Sequence, residues 1–263
     1  MSQNNLCLNC EHITIGNFCN NCGQKTNTHR ITIKHFLFHD LLHGVMHLEK
    51  GILFTIKEAL LRPGKAALEY ISGKRVRYYN VFYLTLLLIG FNIFLNHIQN
   101  QMSYYYFQTS LVPETDEAGK RMSDFFTNNS KFIIFSFIPL LAINSFLLFR
   151  DKALNICEHF IISGMMFLGV MFIITVHKIL YFGNYLQYID VITTVTSIAT
   201  PFIILFYLIF NYYKTFSSDY DSKFEFIARM FLFISFLLVE ITLILILLLG
   251  YFSNWNFQMN YVS

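Results

Sequence analysis

Five stretches of this 263-residue chain are each long and apolar enough to cross a hydrocarbon core, and no other feature restricts the fold so tightly. A crossing helix needs about 20 apolar residues, because each advances it by about 1.5 Å and the backbone must satisfy its own hydrogen bonds in lipid. The stretches fall at residues 81–97, 132–149, 156–181, 191–213 and 227–252. They predict an all-α integral membrane protein of about five transmembrane helices, forming a domain over residues 80–263. Composition agrees, since 13% of residues are charged and a soluble chain would carry roughly twice that share.

Charge sets the expected orientation. Fifteen Lys and Arg fall on the side of the amino-terminal region and four on the other, at Lys120, Arg121, Lys131 and Lys178. By the positive-inside rule the amino terminus is then cytoplasmic and the carboxyl terminus outside. The first twenty residues are polar where an export signal would need an apolar run. Residues 98–131 are expected as an external loop with an aromatic belt at Tyr104, Tyr105, Tyr106 and Phe107. Pro139 and Pro201 are expected to kink the second and fourth spans.

Residues 1–28 carry a different signature. Cys7-Leu-Asn-Cys10 and Cys19-Asn-Asn-Cys22 are separated by eight residues that include Gly16-Asn17, with Gly23 after the second pair. Two residues between cysteines let both thiolates turn onto one ion, and a short hairpin brings the two pairs into a closed tetrahedral site. The spacing predicts a short ribbon with one structural zinc on Cys7, Cys10, Cys19 and Cys22. Four thiolates leave no open coordination position, so the ion would hold a fold rather than do chemistry. Iron in a rubredoxin-like site and four unligated thiols are the alternatives. Lys25 and Arg30 are the only basic residues in the first thirty, a weak electrostatic basis for nucleic acid.

Between ribbon and spans lies a basic collar, residues 29–79. Ile33, Phe36, Leu37, Leu41, Val45 and Leu48 recur at helical spacing, and His35, His39, His43 and His47 form a ladder on the other face. The ladder reads as the polar side of an interfacial amphipathic helix, or as a second metal site, since two histidines four apart can share an ion. Ile52–Leu61 resumes the pattern, and Pro63 opens a further helix that runs to Ser72 and stops at Gly73. Arg62, Lys65, Lys74, Arg75 and Arg77 then stand against a single acid, Glu69, as expected for contact with anionic lipid or for setting topology.

The order Cys22-Gly23-Gln24-Lys25, Thr28-His29-Arg30-Ile31-Thr32, His43, His47, Glu49-Lys50-Gly51, Arg62-Pro63-Gly64-Lys65, Tyr70, Gly73-Lys74-Arg75 and Tyr78-Tyr79-Asn80 resembles a family of bacterial membrane proteins, domain-of-unknown-function family 3667. The resemblance covers roughly residues 7–95, with Val81 departing from the proline usual there. It implies this architecture in a bacterial inner membrane and brings no activity with it.

Within the spans, Glu240 is the acid at membrane depth. It is either a proton or cation site or a neutral side chain hydrogen-bonded across helices to a residue such as Asn92 or Asn144. Cys157, Glu158 and His159 read as interface residues at the mouth of the third span. The modular order points to a non-enzymatic protein whose zinc-stabilised ribbon recruits or senses a protein partner, lipid or metal at the membrane. The alternatives are a channel or transporter using Glu240 and a membrane metalloenzyme using the histidine ladder.

Overall fold

The computed structural model describes residues 5–26, 51–107, 117–150, 153–185, 190–253 and 255. Two short strands, β1 (Asn5–Leu6) and β2 (Ile13–Thr14), pair antiparallel with Leu6 opposite Ile13. Seven α-helices follow among the described residues: α1 (Ile52–Leu61), α2 (Pro63–Ile71), α3 (Val81–Phe107), α4 (Glu117–Leu148), α5 (Ile156–Tyr181), α6 (Asp190–Phe216) and α7 (Lys223–Phe252). The last five are long and apolar enough to cross a membrane, as the sequence predicts. The ends differ from expectation most between the first two spans, while α6 runs on to Phe216 and α7 begins at Lys223. Most of the loop expected at 98–131 is helical, because α3 continues to Phe107 and α4 begins at Glu117. Backbone hydrogen bonding carries both helices on through polar sequence once the apolar segments have nucleated them. Pro139 and Pro201 lie inside α4 and α6.

The bundle is built around α5. Helices α1, α2, α3, α4 and α6 all pack on it, and 72% of its apolar stretch is buried, against 6% for α7, which leans chiefly on α4. Lipid is as apolar as leucine, so helices in a membrane associate where small residues let backbones approach. The sequence of α5 provides them in Ser163, Gly164 and Gly169, with Phe82 and Val81 of α3 against Gly164.

Helices α1 and α2 both pack on α5. Their inward residues are Thr55, Glu58 and Ala59 on α1 and Ala66 and Ala67 on α2, all buried, whereas Leu53 and Leu61 are exposed. Ile52, Phe54 and Ile56 of α1 and Leu68 and Ile71 of α2 also pack, partly buried, against the core, and Lys57 and Lys65 are exposed. The small residues at the most buried positions let the hairpin seat closely against the membrane helices. The Tyr207 hydroxyl of α6 donates to the Ala59 carbonyl, directly over Gly169 of α5. Gly169 stands thirteen residues beyond Ile156, about 20 Å along the helix axis, so this contact lies well inside the bundle.

The turn from α2 into α3 is closed by side chains and backbone together. Gly73, at φ 106°, ends α2, with the Lys74 amide donating to the Glu69 carbonyl and the Gly73 amide to the Tyr70 carbonyl. The Tyr79 amide donates to Thr55 Oγ1 at 2.8 Å, and the Asn80 side chain accepts from the Phe82 amide at 3.0 Å to start α3. The Tyr78 hydroxyl donates to Glu69 Oε2 at 2.7 Å, with Arg77 3.5 Å from the same carboxylate.

Burial pushes the Glu69 carboxyl up. The Tyr78 hydrogen bond and the charges of Arg77, Arg62 and Lys65 outweigh that and hold it below the ordinary carboxylate range. A lowered folded value means that the contribution is complete above the unfolded carboxylate range, near about 4.3, and lost as pH falls through the folded value. Tyr78→Phe is therefore expected to cost about 1 kcal/mol at neutral pH. The gap in melting temperature between variant and wild type should close on acidification; a gap that stays constant from neutral pH to below the carboxylate range contradicts the assignment.

Candidate metal centre

The two cysteine pairs fold into matching turns. In the first, the Cys7 amide donates to the His12 carbonyl at 2.9 Å and the Glu11 amide returns to the Cys7 carbonyl at 2.8 Å. The second repeats it, with the Cys19 amide on the Gln24 carbonyl at 2.7 Å and the Gly23 amide on the Cys19 carbonyl at 2.8 Å. The residue after each pair is left-handed, Glu11 at φ 61° and Gly23 at φ 74°. Glycine takes that conformation freely; Glu11 takes it at a strain cost, held by the turn around it.

The turns bring the four sulfurs together, all within 4.8 Å of one another. Cys7 and Cys22 sulfurs are 3.6 Å apart and Cys10 and Cys19 sulfurs 3.5 Å, and all four cysteines are free thiols. A tetrahedron with metal–sulfur bonds of about 2.3 Å has edges of about 3.8 Å, whereas a disulfide would draw a pair to about 2 Å. The residues therefore fit a single tetrahedral metal ion. The backbone N–H of His12 is the main influence holding the Cys10 thiol down to about 6, against burial, which raises it; Asn21, Cys22 and Cys19 add smaller lowering hydrogen bonds. A thiol so placed is ready to ligate as thiolate.

Gln24, which has no chemistry of its own, proves the link between this centre and the membrane helices. Its side chain is buried, donates through Nε2 to the Gly73 carbonyl, and accepts through Oε1 from the Arg75 and Val76 amides, both at 3.2 Å. The ribbon is thus clasped to the turn between α2 and α3. Nothing in the pattern around Gln24 announces that bond.

The basic residues are less available than their sequence suggests. Arg62 pairs with Glu58, at 2.5 Å and 2.9 Å from its two oxygens, so Glu58 as well as Glu69 offsets the basic cluster. Arg77 pairs with Glu69, and Arg75 lies over the Tyr70 ring. Lys65 and Lys74 form no ion pair among the described residues. His35, His39, His43 and His47 lie outside the described residues.

Glu240 is joined to Asn144, whose Nδ2 donates to Oε2 at 2.8 Å between α7 and α4. This is one of the two partners expected for the structural role. Glu240→Gln is expected to keep the contact, and Glu240→Leu to strand the buried Asn144 at a cost on the order of 1 kcal/mol. Detergent unfolding that ranks Gln below Leu contradicts this pairing.

A second polar cluster was not expected. His159 and Ser145 are fully buried with Nδ1 2.7 Å from Oγ, and the buried Ser163 and Tyr212 hydroxyls lie 3.0 Å apart beside them. Phe216 stacks on His159, and Phe149 on Phe216, so the cluster is walled by aromatic rings where α4, α5 and α6 meet. Glu158, also buried, turns back onto the Asn155 amide at 2.7 Å while its own amide donates to Asn155 Oδ1 at 3.0 Å. The Asn155-x-x-Glu158 spacing is the visible signal for that cap. Nothing in the sequence points to the His159 pairing.

Five membrane-length helices and a clustered four-cysteine site of metal-binding geometry define the class: a multi-pass membrane-type bundle with a small metal-binding ribbon. Residues 49–91 match the family described as "Protein of unknown function (DUF3667)", so the resemblance drawn from the motifs holds over the second part of the collar and the start of α3. No curated protein and no solved structure matches the chain.

Proposed function

We propose that this is a non-enzymatic, multi-pass protein of a bacterial inner membrane, in which a zinc-held cytoplasmic ribbon is fixed on the membrane bundle as a docking module. The observation that carries the reading is the Gln24 clasp, because three hydrogen bonds fasten a metal-dependent fold to the entrance of the first span. Four thiolates at tetrahedral spacing suit zinc, and the closed ligand set suits a structural ion. The Lys and Arg distribution supports a cytoplasmic ribbon. On this reading the chain divides into a ribbon at 1–28, a collar at 29–79 and a transmembrane domain at 80–263, and the helices Ile52–Leu61 and Pro63–Ile71 of the collar pack on the bundle.

A ribbon without a clasp would remain folded but wander. Gln24→Ala is therefore expected to keep its metal while altering what the ribbon meets. In cells, photo-crosslinking from the ribbon should give different neighbours for wild type, Gln24→Ala and Cys19→Ser/Cys22→Ser. The same neighbours in all three would remove the docking role. The Asn144–Glu240 bond supports a packing role for Glu240 rather than transport.

A further inference from the structure

Every large aliphatic or aromatic side chain in the described part of the ribbon points outward. Leu6 is 62% exposed, Ile13 52%, Ile15 90% and Phe18 60%, with Leu8 also exposed. The buried side chains are Cys7, Thr14, Cys19 and Gln24. Leu6 and Ile13 are cross-strand partners, and Ile15, directly after β2, is the most exposed of the three. The hairpin therefore buries Cys7 and Thr14 while Leu6 and Ile13 beside them, with Ile15, form an uncharged, exposed aliphatic platform.

We infer that this platform, centred on Leu6, Ile13 and Ile15, rests in the interfacial layer of the lipid bilayer. The inference builds on the docked ribbon proposed above. Three observations select lipid over another occupant. The clasp holds the ribbon to Arg75 and Val76, and the first span begins at Val81, so at most about 17 Å of extended chain separates the anchor from the start of that span. The platform carries no charge, and the described ribbon has one Glu and one Lys, Glu11 and Lys25, so no field opposes its approach to headgroups. The anchoring turn contributes cations beside it, including Lys74, as expected of a segment flanking an anionic surface. Aliphatic side chains carried on a polar, rigid hairpin are the chemistry of interfacial insertion, which needs no shape-matched partner.

Trp255 is the only tryptophan, so it can be replaced by Phe and a reporter moved onto the platform as Ile15→Trp, an exposed position where the larger ring meets no packed neighbour. A second reporter, Phe231→Trp on the exposed side of α7, gives the signal of a lipid-facing residue. The full chain is reconstituted into phosphatidylethanolamine–phosphatidylglycerol vesicles with and without bromine on the acyl chains. Brominated lipid is expected to quench Ile15→Trp at least about half as strongly as Phe231→Trp, while acrylamide quenches it weakly. Quenching by acrylamide alone would place the platform in water and overturn the inference. Quenching by neither would mean protein covers it, whether another segment or a second copy, and would overturn it equally. Amide exchange at Arg75 and Val76 on the same sample separates this from the parent reading: protected amides with an unquenched reporter sink only the lipid contact, and unprotected amides sink the docked ribbon itself.

Discussion

Replacing Cys19 and Cys22 together by Ser is expected to remove about one metal ion per chain, zinc on the function proposed above, and to unfold the ribbon while the membrane helices stay assembled. The described part of the ribbon has no apolar interior to fall back on, because its buried side chains are two cysteines, a threonine and a glutamine. Structural zinc in comparable small folds contributes on the order of 10 kcal/mol or more at neutral pH, far beyond what a hairpin with two-residue strands supplies. Elemental analysis of the detergent-purified protein reads the metal, and the paired variant His39→Ala/His43→Ala is expected to retain it in full. A second metal, lost only in the histidine variant, would bring the metalloenzyme reading to the front.

The next largest effect is expected at Gly169. An added Cβ there meets the Tyr207 hydroxyl and lies 2.8 Å from the Ala59 carbonyl, and both belong to elements that lean on α5. Backbone cannot give way as a side-chain tip can, so Gly169→Ala should push α1 off α5 and cost about 1–3 kcal/mol. Tyr207→Phe removes the hydroxyl nearest the new methyl and should return part of that loss in the double variant. Unfolding in mixed micelles measures both. Strictly additive effects would mean that Tyr207 and Gly169 do not meet.

What the sequence reveals and conceals follows from the kind of signal each contact leaves. The CxxC pairs, the five spans, Pro63 opening α2 and Gly73 closing it are local chemistry, and each stands where its residues imply. The Asn144–Glu240 bond was readable because a mid-membrane acid demands a partner and few polar residues were available. The seating of α1 and α2 was hidden because helices that pack in lipid bury alanine, threonine and glycine, which give no apolar period to follow. Leu53 and Leu61, by contrast, are apolar and exposed. Gln24 was hidden for another reason: its three bonds go to backbone 49 to 52 residues away, and no side-chain pattern records them.

Gln24 fastens the four-cysteine ribbon to the entrance of the first span. Hydrogen exchange at the Val76 amide reads that fastening most directly, since it donates to Gln24 Oε1, and the Arg75 amide, shared between Gln24 Oε1 and the Gly73 carbonyl, supports it. Measured in the metal-loaded protein and after chelation, the two amides are expected to be protected in the first state and to exchange faster by about tenfold or more in the second, with α5 unchanged. Equal exchange in both states would show that the ribbon's metal has no part in holding the turn, and would contradict the account.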